Sequence, residues 1–201
     1  MILNKLSILK ILLSTLLFLL LMVQHSHAKE NDQLAQAKQI VGSLINEVTI
    51  TDENGLVAED YRSIVENIYT SNFDEERIAH LTLGSKWKNL DEQQKQDYIV
   101  ALRSHVVNSY SSQFKTMSGY QITVNDARFS RKGGYIFVTS KATKADLKNS
   151  VEMSWRLDTK TLKIVDISIE DISMVMTKRD EFASFLKNNS IDSLIDQLAS
   201  S

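Results

Sequence analysis

The chain has 201 residues and a formal net charge of −2, with 43% of its residues hydrophobic and 24% charged. That weakly acidic balance excludes nucleic-acid wrapping, which needs many Lys and Arg to neutralise phosphates, and the apolar content argues for a packed globular domain over disorder. Cysteine and proline are absent and glycine occurs only six times, which leaves no basis for a disulfide framework or a flexible linker.

Lys5 and Lys10 precede an apolar run from Ile11 to Val23, and "HSHAKE" follows, with Ser26, His27 and Ala28 offering small residues where a signal peptidase reads. The expectation is a secretory signal peptide over residues 1–28, cleaved after Ala28. A retained membrane anchor is the alternative, but Lys10 interrupts the stretch and about 20 apolar residues are wanted for a span. Residues 29–201 then form one domain in which 21 basic residues stand against 25 acidic. A chain of that size buries about 70% of the surface its unfolded form exposes. With no cysteine to carry a lipid anchor, the mature chain is expected to be exported and soluble.

Asn31–Glu47 spaces Leu34, Ile40, Val41, Leu44 and Ile45 for one helical face, and "TDENG" breaks it. Tyr61, Ile64, Val65, Ile68 and Tyr69 form a second stripe. "NFDEERIAHLTLG" gives a third helix, with Asn72 as candidate cap, acids in the first turn and Gly84 as its stop. Asp91 opens the longest helix, running to about Phe114, with Tyr98, Ile99, Leu102, Val106, Tyr110 and Phe114 on its apolar face.

The period then changes to two. "YQITVNDARFS", the turn "RKGG" and "YIFVTSKAT" read as a hairpin. "VEMSWRL" puts Val151, Met153, Trp155 and Leu157 on one side. After "DTKT", Val165, Ile167 and Ile169 alternate with Asp166, Ser168 and Glu170. Ile172, Met174 and Met176 continue the alternation on the opposite parity, which calls for an extra residue near Glu170 and Asp171, most simply a β-bulge. Phe182, Phe185 and Leu186, then Ile191, Leu194, Ile195 and Leu198, mark terminal helices. The sum is an α+β domain, with helices set against one face of a four-stranded antiparallel sheet.

Catalytic and metal motifs are scarce. Beyond residue 28 the two histidines, His80 and His105, lie on different predicted helices outside any zinc pattern, and neither a nucleophile elbow nor a phosphate-cradling loop occurs. Asp166, Glu170 and Asp171 cluster at one strand end, but Asp166 and Glu170 share the polar face, where solvated charges are expected. An aspartate base in an apolar pocket, as in NTF2/ketosteroid-isomerase-like enzymes acting on a small apolar substrate, is the enzyme alternative. Soft and aromatic apolar surface is the more prominent feature, since methionine adapts to irregular space and varied ligands.

"FDEERIAHLTLGSKW", "LDEQQKQDYIVALRSHVVNSY", "VEMSWRL", "KIVDISIEDISMVMTKRDEFASFL" and "IDSLIDQL" are five collinear blocks from Phe73 to Leu198. Together they resemble the MlaC, or toluene-tolerance, family of Gram-negative periplasmic phospholipid-binding proteins. By motif position Leu83, Gly84 and Trp87 match the first block, Tyr98 and Tyr110 the long helix, and Trp155 the third strand. Ile169, Glu170, Ser173, Thr177, Arg179 and Phe182 match the strand-to-helix joint. Where the family usually has glycine, this chain has Asp171.

The resemblance implies an α+β fold in which helices packed on one face of a curved four-stranded antiparallel sheet enclose a deep apolar lipid cavity, and a periplasmic shuttle without catalysis, with phospholipid as cargo rather than cofactor. Its implied partners are an outer-membrane lipoprotein (MlaA-like) with a porin and an inner-membrane ABC transporter carrying a lipid-binding (MlaD-like) substrate domain, in the service of outer-membrane lipid asymmetry. Moving two acyl chains out of a bilayer costs on the order of 25 kcal/mol at about 0.8 kcal/mol per CH₂, which only a dry cavity of roughly 300 to 1,000 Å³ can offset. The expected lining is Val106, Tyr110, Phe114, Met153, Trp155, Ile167, Ile169, Met174 and Met176, with the headgroup at the mouth near Lys178 or Arg179.

Overall fold

The structure, a computed structural model, describes residues 29–47, 58–113, 120–144 and 150–200. The expected signal peptide and Phe114 lie outside the described residues. Helix α1 spans residues 29–47 and buries Ala37, Val41, Leu44 and Ile45, one stripe at helical spacing. Helix α2 (Ala58–Asn72) buries Tyr61, Val65, Ile68 and Tyr69.

Helix α3 (Glu75–Leu83) is capped two residues later than expected. Asn72 still belongs to α2, and its amide donates back to the Ile68 carbonyl at 3.0 Å. The cap is Asp74, whose carboxylate accepts from the Arg77 N–H at 3.1 Å, with Glu75 and Glu76 facing the positive helix end. Gly84 ends α3 at φ +56° and begins a 3₁₀ helix (Gly84–Asn89). Asp91 opens α4 (Glu92–Gln113) as expected, through a reciprocal pair: the Gln94 N–H donates to Asp91 at 2.8 Å, and the Asp91 N–H to the Gln94 side chain at 3.4 Å.

Strands β1 (Tyr120–Phe129), β2 (Tyr135–Lys144), β3 (Val151–Asp158), β4 (Ile164–Ile169) and β5 (Ile172–Ser173) form one antiparallel meander in the order β1-β2-β3-β4-β5. The sheet is curved and unclosed, and its fifth strand of two residues is one more than expected. Helices α5 (Met174–Phe185) and α6 (Ile191–Ala199) complete the chain order.

Two features of β4 differ from the simple alternation. The pairs Arg156↔Asp166 and Leu157↔Ile164 leave Val165 as an extra residue, so the bulge sits at the start of the strand. At its other end, Glu170 and Asp171 are not a bulge but the two central residues of a tight turn, with φ +48° and +64°, that pairs Ile169 with Ile172 and Ser168 with Ser173. Positive φ at both positions is the pattern of the type I′ turns that suit twisted hairpins. A two-residue turn inverts parity as a bulge would, which is why Ile172 follows the opposite pattern. Met174 and Met176 then belong to the first turn of α5 and not to a strand.

The core has two parts. One joins α1, α2 and Val107 of α4 to the inner sheet face, with Ile136, Val138, Met153, Trp155, Leu157 and Ile164 at its centre. The other gathers α3, the 3₁₀ helix, the first half of α4, α5 and α6 around Tyr98, Leu102, Phe182, Leu194 and Leu198. The α2–α3 junction is tied to β4 by the Asp74 N–H, which donates to the Ile164 carbonyl at 2.9 Å.

Candidate functional site

The joint between β4 and α5 is built around a buried carboxylate. Asp166 is only 5% exposed. Its two oxygens accept from the Ser173 hydroxyl at 2.6 Å and the Val175 N–H at 3.1 Å, and Arg156 Nη2 approaches at 3.4 Å. Ser173 in turn caps α5 by accepting from the Met176 N–H at 3.0 Å. The expectation of a solvated Asp166 on the polar face is therefore corrected: α5 starts over that face, and the carboxylate replaces water with three protein donors. Glu170 remains exposed, and its side chain accepts from the Glu152 N–H at 2.7 Å while its own N–H donates to the Glu152 carbonyl.

This scaffold holds an apolar rim. Ile169 and Ile172 face each other across the hairpin at 38% and 59% exposure, and Met176 follows on α5 at 45%. Below the rim the inner face of the sheet continues it. Met153 pairs with Ile169 and Trp155 with Ile167, so all four share one face, grading from buried Met153 and Trp155 through half-buried Ile167 to exposed Ile169. The Trp155 indole N–H donates to Ser140 Oγ at 2.9 Å, which satisfies both buried polar groups with each other.

Helix α4 brings further lining toward the rim. Tyr98 meets Phe182 edge-on at 6.4 Å, and His105, nearly two turns on, lies in the field of Lys178 and Glu181. Val106 is half-buried against the helical core, and Tyr110 is 40% exposed with its phenol held above the ordinary value by burial of the hydroxyl's surroundings. Met174 is half-buried. Eight of the nine expected lining residues are thus described: Met153, Trp155, Ile167 and Ile169 share one sheet face, Val106 packs against the helical core, and Tyr110, Met174 and Met176 lie on α4 and α5.

The two basic residues expected at the mouth have other occupations. Lys178 binds Glu181 at 2.9 Å and lies over the Phe182 ring. Arg179 packs on Gly84 so closely that a Cβ on that glycine would stand 2.8 Å from Arg179 Nη2. Arg179 therefore braces α5 against the end of α3, and the motif residues Gly84 and Arg179, 95 positions apart, meet for a steric reason. Ser140 and Asp166 were the parts of the site the sequence hid. Ser140 was findable as a lone hydroxyl on a strand's apolar parity, between Val138 and Ala142.

Among the described residues no group of three or more metal-ligating side chains occurs, and no helix is long and apolar enough to cross a membrane. An open groove of about 480 Å³ runs between α5 and α6, floored by Phe182, Phe185 and Leu194 and rimmed by Glu181, Asn188 and Gln197. It lies apart from the rim just described.

Comparison with known proteins gives the geometry a context. A solved structure of a phospholipid-binding protein from Ralstonia solanacearum, in complex with a phospholipid, superposes with a TM-score of 0.70 at 17% sequence identity, covering 82% of this chain and 95% of that one. At that identity the likeness establishes the fold. No curated protein matches the sequence. The family model described as "MlaC protein" matches residues 25–200, nearly the whole length of the chain, and the chain belongs to the MlaC family.

Proposed function

We propose that this chain is a periplasmic phospholipid carrier that receives and delivers its cargo through the rim formed by Ile169, Ile172, Met176 and the end of α4. The carrying observation is the graded apolar face from Trp155 and Met153 up to Ile169 and Ile172, held open to water by a rigid, buried polar anchor. Exposed isoleucines beside a turn cost solubility and contribute nothing to a closed core, so their placement suits a surface that meets acyl chains. The described layers beneath the rim are packed on each other, and loading requires sheet and helices to part along the seam that Val107 and Trp155 share. The tails are kept out of water in the opened seam, which offsets the cost of their leaving the bilayer.

On this reading the cargo passes between an outer-membrane lipoprotein complex (MlaA-like, with a porin) and an inner-membrane ABC transporter bearing an MlaD-like domain, and residues 1–28 direct export. Phospholipid is cargo and no cofactor is required. The enzyme reading has less support, because Asp166, the most buried carboxylate at the joint, uses its oxygens on Ser173, Val175 and Arg156 and has little capacity left to accept a substrate proton.

Native mass spectrometry of the purified protein, with lipid extraction, tests the proposal. A co-purifying phospholipid, or uptake from vesicles by the stripped protein, is the expected result. Ile169→Asp combined with Ile172→Asp should leave the fold intact, since both side chains are exposed, and should lower uptake at least tenfold. A wild-type protein that neither carries nor takes up phospholipid would overturn the reading.

A further inference from the structure

The end of the sheet opposite the rim has a different character. There the β1–β2 turn, residues 130–134, and the β3–β4 turn, residues 159–163, lie side by side, joined by the Thr159 N–H donating to the Gly134 carbonyl at 3.1 Å. Gly133 and Gly134, at φ +68° and +81°, fold the first turn tightly, and the Ser130 hydroxyl closes it on the Gly133 carbonyl at 2.6 Å. From these turns and the strand ends beside them project Arg128, Arg131, Lys132 and Lys160, all exposed. None of the four has a carboxylate partner among the described residues; Arg128 alone is engaged, over the Phe137 ring at 5.4 Å. Lys163 adds a fifth cation, donating to the Ser71 carbonyl.

The acidic groups nearby do not cancel this. Asp158 accepts from the backbone N–H of Lys160 and of Thr161 and stands 3.9 Å from Arg77, and Asp74 caps α3. The start of α1, which reaches Thr159 through Gln33, adds Lys29 against Glu30 and Asp32. A net positive end therefore persists on a chain whose overall charge is −2, while Glu152, Glu170 and Asp171 gather at the rim. The two ends are about 20 Å apart, at roughly 3.3 Å per strand residue.

We propose that this turn end is an electrostatic docking surface for bilayers bearing anionic phosphate headgroups. A protein partner would be expected to grip an apolar or aromatic centre, and the exposed large hydrophobics among the described residues, Val100, Tyr110, Ile169, Ile172 and Met176, are all elsewhere. Long cations without ordering partners, on two blunt turns, suit a diffuse array of phosphates instead. Docked this way, the protein faces its rim away from the bilayer that holds it. The inference is independent of the proposed cargo, because the cations lie at the far end of β4 from the lining.

Vesicle flotation of the purified protein tests it, with phosphatidylcholine alone and with phosphatidylcholine mixed with phosphatidylglycerol, at low and high salt. The expected result is salt-sensitive binding to the anionic vesicles only. Arg131→Glu, Lys132→Glu and Lys160→Glu together should weaken that binding on the order of 100-fold, at about fivefold per cation near the surface, while Lys86→Glu with Lys88→Glu, on the 3₁₀ helix, changes it far less. The neutral set R131Q, K132Q and K160Q guards against misfolding and should also lose binding. Equal binding to neutral vesicles, indifference to these substitutions, or binding to soluble polyglutamate with none to anionic vesicles would each overturn the proposal, the last in favour of an acidic protein partner.

Discussion

Three residues at the joint carry backbone or electrostatic conditions that single substitutions can measure. Gly84 meets two demands at once, a positive φ and a guanidinium where its Cβ would be. Gly84→Ala should cost about 2 kcal/mol or more in urea unfolding, since left-handed strain alone is worth 1–2 kcal/mol. Adding Arg179→Ala should recover only the steric part, leaving a coupling that a double-mutant cycle reads directly. At Asp171, where φ is +64°, glycine should be close to neutral, because relief of strain is offset by the greater freedom of the unfolded chain. Asp171→Val should cost about 1–3 kcal/mol, as a branched side chain tolerates that region poorly. Asp166→Ala should cost about 2–4 kcal/mol, because it strands the Val175 N–H and the Arg156 guanidinium together. Alternation alone placed Asp166 on an open polar face. What covers it is the start of a helix, and strand parity holds no information about which face a later helix will cross.

Helix α5 is the element on which the site's geometry turns, and it is held at both ends of its first half. Ser173 caps it and Asp166 anchors the cap, so Ser173→Ala should lower stability by about 1–2 kcal/mol and loosen the rim with it. Its packing on α4 makes the pair sensitive to pH. Burial first, and then the Lys178 ammonium, hold the His105 imidazole below its ordinary value of 6.5, with Glu181 opposing. The folded state therefore favours neutral His105. The stability this contributes is complete above the unfolded value and is lost as pH falls from 6.5 through the lower folded value, because the unfolded chain takes up the proton first. His105→Gln should flatten that part of the stability-against-pH curve; an unchanged slope would mean the α4–α5 contact does not discriminate the two charge states. The order of elements was legible because period 3.6 and period 2 are distinct. The joint was misread because a one-residue bulge and a two-residue type I′ turn invert parity alike, and Ile172, Met174 and Met176 alternate in sequence whether the last two lie in a strand or in a helix's first turn. Of the candidate lining, the four sheet residues were legible because strand parity alone puts Met153, Trp155, Ile167 and Ile169 on one face, whereas helical periodicity could not say that Val106 faces the other core.

At the scale of the molecule the two tryptophans separate the two cores. Trp155 lies on the inner sheet face beneath the rim, and Trp87 lies in the helical core, its ring centre 5.9 Å from Lys95 Nζ and tilted against the His80 ring at 5.8 Å. If acyl chains enter between sheet and helices, a heavy-atom quencher carried on the lipid tails comes against Trp155 and stays remote from Trp87. Protein loaded with brominated phospholipid should show strong loss of fluorescence in a Trp87→Phe variant and little in Trp155→Phe. The second variant also loses the bond to Ser140, so Ser140→Ala in the Trp155-containing protein serves as its stability control. Quenching of Trp87 with Trp155 spared would place the tails in the helical core, toward the groove between α5 and α6, and would reject the rim as the entrance. The two outcomes differ because the sheet supplies the floor of only one core, and a carrier that must open and reclose has to do so where a layer can lift without unwinding the helices packed around Tyr98 and Phe182.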